Sequence, residues 1–135
     1  MASEGAPSVT VERRIEFVDT DATGRYHYAT AMRLFEVGEV ELLEHLGLLD
    51  EIYESMPRAR VEFDYHRVLR FRDRVESTVS VEALGRTSVT FGFRLTSGGE
   101  LCVDGRLVAV FVDDEGKPRP WSDEHRARWL PGESG

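Results

Sequence analysis

The chain is nearly devoid of cysteine: Cys102 is the only one in 135 residues. A lone thiol rules out an internal disulfide framework, and no cysteine and histidine cluster offers the spacing of a structural zinc site. Cys102 lies in a strand pattern and reads as a small core residue. Long apolar runs are missing too. No stretch approaches the roughly 20 residues needed to span a bilayer. The opening MASEGAPS has neither the basic start nor the apolar stretch of a signal peptide, so the expected location is cytoplasmic. Positive charge is also scarce, with 17 basic residues against 25 acidic ones and a formal net charge of -8. That excess repels nucleic acid and anionic membrane, and any anionic ligand must meet a local basic patch. Internal repeats and low-complexity segments are absent.

What remains is the makeup of a soluble globular protein, 41% hydrophobic and 31% charged. The length suits a single core. The expected organisation is a flexible tail over 1–8, one domain over 9–130 and a second tail over 131–135. Val9, Val11, Ile15 and Phe17 alternate with Thr10, Glu12, Arg14 and Glu16, which reads as a strand. The turn DTDATG ends it. From Ala29 to Leu46 the period becomes helical, with Met32, Phe35, Leu42, Leu43 and Leu46 on one face and Gly47 placed as C-terminal cap.

Four more alternating strands follow, around Val61–Tyr65, Val75–Val81, Val89–Leu95 and Gly105–Val112. The last is apolar at nearly every position and is expected to be central and covered on both faces. Gly85-Arg86 and Ser97-Gly98-Gly99 supply hairpin turns, and Ser122 is placed to cap a short helix through Trp129. The fold class is α+β, a five-stranded antiparallel sheet with one long helix. One such helix cannot hide a five-stranded sheet, so self-association is expected.

The run RRIEFVDTDATGRYHYATAMRLFE is similar to the N-terminal signature of hotdog-fold acyl-CoA thioesterases of the 4-hydroxybenzoyl-CoA thioesterase type. There a strand, a D-x-D-x-x-G turn and an aromatic residue lead into the central helix. FDYHRVLRFRD resembles the family's strand ending in Y-x-R-P-L-x-F-G-D. Val68 stands where that pattern has proline and Arg72 where it has glycine. Arg25, Tyr26 and His27 replace residues that are commonly apolar or aromatic.

The resemblance implies hydrolysis of an acyl or aryl thioester of coenzyme A, or of an acyl carrier protein, in a homodimer or homotetramer. It assigns Asp21 as general base or nucleophile, the Tyr28 N–H as the donor that polarises the carbonyl, and Gly24 as the hinge between them. Coenzyme A is then part of the substrate, and neither a separate cofactor nor a metal is implied. Its phosphates are expected to meet Arg86, Thr87 and Ser88, with Arg70 as a second contact. Arginine suits phosphate through bidentate hydrogen bonds.

On pattern alone, Asp19, Thr20, Asp21 and Thr23 are all good turn and cap residues. The resemblance favours catalysis for Asp21 and a structural role for Asp19. Glu36 matches an acidic family position but reads as a solvated or paired residue in a glutamate-rich helix, and His27 as packing or surface. A non-catalytic acyl-CoA-binding module and a hotdog hydratase or dehydratase remain as alternatives. A D-x-D metal site for a nucleotide sugar is weak without a parallel nucleotide-binding sheet.

Overall fold

Five strands form from the alternating segments, because each can turn one apolar face inward and leave a polar face outward. A computed structural model describes residues 6–133. Its strands are β1 (Ser8–Arg14), β2 (Arg58–Tyr65), β3 (Arg74–Leu84), β4 (Ser88–Ser97) and β5 (Glu100–Val110). They pair antiparallel in the order β1-β3-β4-β5-β2. The expected mobile N-terminal tail lies outside the described residues over 1–5. Pro7 already pairs its carbonyl with the Val81 N–H, and Ser8 opens β1. The C-terminal segment expected over 131–135 forms a 3-10 turn at Pro131–Glu133, and residues 134–135 lie outside the described range.

The long helix, α1, spans Thr30–His45, with Ala29 and Leu46 as its caps. Gly47 follows in the left-handed region at φ +72, where glycine avoids the Cβ clash, and its N–H closes on the Glu44 carbonyl. A short helix α2 (Leu49–Ile52) and a 3-10 turn (Tyr53–Ser55) had no sequence signal strong enough to be expected. The final helix, α3 (Asp123–Trp129), has the expected Ser122 cap, whose hydroxyl accepts from the His125 N–H at 3.0 Å.

Helix α1 lies on one face of the sheet, against β1, β3 and β4. Phe35 is fully buried there, with ring contacts to Phe63, Phe91 and Phe93 at 6.2, 5.7 and 5.6 Å. The approach is closest at Gly38, where an added Cβ would stand 2.6 Å from Val79 Cγ2. Beside it the buried Ser77 hydroxyl donates to the Leu34 carbonyl at 2.7 Å, joining sheet to helix by a polar contact.

The outer face is polar. The expectation that the last strand is covered on both faces is wrong: β5 is paired on both edges, by β4 and β2, yet Arg106 is exposed on its outer side. Its apolar residues are shared between the core positions Val103, Leu107 and Ala109 and the half-buried Val108 and Val110.

One charged contact is buried between α1 and the edge strand. The fully buried Glu39 carboxylate accepts from Arg58 Nη1 at 2.6 Å and Nη2 at 2.5 Å, and the same guanidinium reaches Glu36 at 3.4 Å. Glu36, read from the sequence as solvated or paired, is both half-exposed and paired with Arg58. Burial pushes the Glu39 carboxyl up, against the downward pull of the Arg58 bonds. Arg58→Ala removes that pull and leaves a buried carboxylate, and it should cost about 3–5 kcal/mol in denaturant unfolding. A raised folded-state pKa gives stability that is present below the unfolded value of 4.5 and lost as pH rises through the folded value. The variant's deficit should therefore be larger at about pH 8 than at about pH 5.

Candidate active site

The segment RIEFVDTDATGRYHY leaves the sheet at the end of β1 and leads into α1. Ile15 is fully buried, and its backbone is held on both sides: its N–H donates to Asp73 at 2.8 Å and its carbonyl accepts from Arg72 at 2.8 Å. The chain then makes a 3-10 turn at Phe17–Asp19.

Asp19 is 3% exposed. Its Oδ1 accepts from Arg33 Nε at 2.9 Å, and its Oδ2 accepts from Arg33 Nη2 at 2.7 Å and from the Glu16 N–H at 2.8 Å. Its carbonyl accepts from the His27 N–H at 2.7 Å and the Thr30 hydroxyl at 2.9 Å. One residue therefore ties the turn, the segment before α1 and the helix together. Both carboxylate oxygens are thus engaged by donors of the protein itself. Among the described residues no group of three His, Cys, Asp or Glu is arranged for a metal.

Asp21 is placed in the opposite way. Its side chain is exposed, and its Oδ1 accepts from the Thr23 N–H at 2.8 Å and hydroxyl at 2.5 Å. The Thr23 hydroxyl and then its N–H hold the carboxyl below the ordinary aspartate range, helped by smaller contributions from His27 and Arg25. Gly24 completes the turn at φ +79, donating to the Asp21 carbonyl at 3.0 Å. An added Cβ there would meet nothing within 4 Å, so conformation rather than space calls for glycine.

Tyr28 differs from expectation. It does not open α1, which begins two residues later at Thr30. The Ala29 N–H is instead taken by His27 Nδ1 at 3.1 Å, and the His27 ring stacks on Tyr28 at 4.5 Å. The Tyr28 carbonyl accepts from the Tyr65 hydroxyl at 2.6 Å, while its N–H meets no acceptor among the described residues. Tyr26 is buried, and burial pushes its phenol up to about 12.

Asp21, Gly24, Tyr28 and Arg70 share one end of the sheet, where Arg25 bridges Arg70 and the Tyr26 N–H donates to Leu69. Arg86, Thr87 and Ser88 do not join them. Arg86 and Thr87 lie in the turn between β3 and β4 and Ser88 opens β4, beyond the far end of the 11-residue β3. At strand rise that is roughly 35 Å away within one chain. The turn is clasped by the C-terminal segment: the Thr87 carbonyl accepts from Phe111, the Ser88 carbonyl from Trp121 Nε1, and the Gly85 carbonyl from Arg126.

Sequence reasoning missed Arg33 and Tyr65. Arg33 occupies a polar helix position 14 residues after Asp19, and only the fold brings the two together. Tyr65 reads as an ordinary strand residue until the end of β2 is set beside Tyr28.

Comparison with known proteins gives the same architecture. A model of the thioesterase-like superfamily matches residues 8–130, and the chain belongs to that superfamily. It is similar in structure to a Thermus thermophilus thioesterase complexed with coenzyme A and zinc, with TM-score 0.83, 29% identity and coverage of 96% of this chain and 98% of that one. A predicted thioesterase from Bacillus stearothermophilus is similar at TM-score 0.82 and 27% identity, covering 90% and 93%. In sequence the chain is similar to a 1,4-dihydroxy-2-naphthoyl-CoA hydrolase of Synechococcus elongatus, 24% identical over 125 residues and covering 88% of this chain and 92% of that one. The hotdog fold and the acyl-CoA thioesterase class expected from the sequence are borne out.

The two aspartates should separate in stability measurements. Asp19→Asn loses a bidentate charged contact in a buried position and should destabilise by about 2 kcal/mol. Asp21→Asn keeps the Thr23 bonds at an exposed position and should melt within about 1 °C of the wild type. Paired thermal denaturation curves test both.

Proposed function

We propose that this member of the thioesterase-like superfamily hydrolyses an acyl or aryl thioester of coenzyme A to the free acid and thiol, with Asp21 as the reacting carboxylate. The observation that carries the reading is the state of that carboxylate. One oxygen is pinned by Thr23, the other has no partner among the described residues, and the group is held ionised in an exposed turn at the end of the sheet that also carries the unbonded Tyr28 N–H.

A thioester asks little of such a site, because a thiol of pKa about 8.5 leaves as thiolate without a strong acid. In the nucleophilic course, Asp21 adds to the carbonyl carbon and the C–S bond breaks. The thiolate departs, and water then cleaves the resulting anhydride. In the general-base course, Asp21 takes a proton from water as its oxygen adds to the carbonyl, and that proton leaves with the thiol. Either way the negative oxygen that develops needs an N–H donor, the role assigned to Tyr28. Coenzyme A enters as substrate, and the same pantetheine arm on a carrier protein satisfies the same chemistry.

The working unit is proposed to be a homodimer or homotetramer. Strand β2 ends the sheet with an open hydrogen-bonding edge, and Val61, Tyr65 and Val68 are exposed on and just beyond it. Assembly also supplies the route by which Arg86, with Thr87 and Ser88, meets a substrate held near Asp21, since these residues lie far apart within one chain. Arg70 serves from the same chain.

Asp21→Asn should lower kcat for the best acyl-CoA by about 10²- to 10⁴-fold with KM little changed. Near wild-type turnover in a variant of normal stability would overturn the assignment. Acyl-CoA binding without thiol release by the wild type would point to a binding module instead. Because the active carboxylate is the ionised form and its pKa is lowered, kcat/KM should stay level on the acid side until the pH falls below 3.8, the ordinary aspartate value. Sedimentation equilibrium should return at least twice the chain mass, and a fully active monomer would rule out a shared site.

A further inference from the structure

The connection from β2 to β3 carries a strained residue where glycine would sit without cost. Arg72 has φ +77 and is the only non-glycine residue with positive φ among the described residues. A Cβ is crowded in that region, and glycine suits it better. Two residues earlier, Arg70 forms an isolated antiparallel bridge with Arg25. Directly opposed residues send their side chains to the same face about 5 Å apart, so this pair sets two like charges against each other.

Local ion pairs do not relieve these costs. Arg14, Arg33, Arg58, Arg67 and Arg74 all meet carboxylates, yet Arg25, Arg70 and Arg72 meet none among the described residues. Of the two acids nearest in the chain, Asp73 Oδ2 accepts from the Arg70 N–H at 2.8 Å, and Asp21 Oδ1 holds Thr23 while Arg25 acts on its charge without forming an ion pair. In a chain of net charge -8, three arginines without an ion pair among the described residues thus lie on the segments at the end of the sheet that carries Asp21. Next to them Phe17 and Phe71 are both exposed and meet edge to face at 5.9 Å, an open aromatic surface of a kind that suits a purine ring.

We propose that Arg25, Arg70 and Arg72 form a recognition site for the phosphates of an adenine nucleotide, with Phe17 and Phe71 against the base and Arg72 determining specificity. Resting on the reading of a coenzyme A thioester, the site takes the 3′-phosphorylated adenosine diphosphate end of the thiol carrier. The strained backbone and the like-charge bridge are stability given up to hold cationic groups around a dense anion. Arginine forks suit that anion through bidentate contacts.

The test uses Arg72→Gly, which relieves the strain and removes the charge together. Melting temperature should rise by about 2–4 °C. Binding of adenosine 3′,5′-bisphosphate, measured by titration calorimetry at low salt, should weaken by about 5- to 10-fold. KM for an acyl-CoA should rise by a similar factor with kcat held, and KM for the same acyl group on phosphate-free pantetheine should not move. Arg25→Gln should weaken the same binding. A more stable Arg72→Gly with unchanged nucleotide binding and KM overturns the proposal, as does an equal rise in KM for both thioesters. Because the calorimetry needs no turnover, bisphosphate binding that depends on Arg72 in a chain without thiol release would uphold this site while refuting the proposed hydrolysis.

Discussion

Everything at the candidate site hangs on one buried carboxylate. Asp19 sits where the chain leaves the sheet; its carboxylate satisfies Arg33 and the Glu16 N–H, and its backbone carbonyl the His27 N–H and the Thr30 hydroxyl. A buried charge persists only when it is fully bonded, and each of these bonds fixes another segment. Helix α1 is anchored through Arg33 and Thr30, the turn through Glu16, and the approach to the helix through His27. Two residues on, Asp21 carries none of this duty. Its carboxylate faces solvent because its neighbour has already met the structural demand.

The strands and the long helix were legible because burial on one face imposes a period, and that period survives in the residue types. Gly47 and Ser122 marked helix ends for equally local reasons, a left-handed backbone and a hydroxyl cap. Strand order was not legible. Alternation says which face a residue takes, not which strand lies beside it, and β2 ends up across the sheet from β1. The same limit explains the mistaken cover on β5, whose apolar residues include Val108 and Val110 at half-buried positions. In the turn, the two aspartates are alike by composition. They differ through Arg33, which arrives from a helix not yet formed when the turn is read. The late start of α1 has a similar origin, since His27 Nδ1 takes the Ala29 N–H.

The seam between α1 and the sheet departs from a purely apolar core. Gly38 lets the helix approach β3 until Ser77 reaches a helix carbonyl, and at the next position of the same helix Glu39 is buried against Arg58. Such contacts add less net stability than well-packed hydrophobic residues can. They do define one alignment: a helix shifted by a single residue would strand Ser77 and Glu39 together. The turn that carries Asp21 leads into the N-terminal end of that same helix, so a fixed register there also fixes where the turn sits.

Both tryptophans, Trp121 and Trp129, lie in the C-terminal segment that clasps the β3–β4 turn, with ring centroids 5.4 Å apart and Phe111 stacked on Trp121 at 4.6 Å. The opposite end of the sheet, with Asp21 and Tyr28, holds only tyrosine and phenylalanine. Intrinsic indole emission is therefore a reporter of the clasp and is blind to the turn. Its quenching would track release of the chain's end, while motions around the candidate site call for an extrinsic label or for tyrosine signals from Tyr26, Tyr28 and Tyr65.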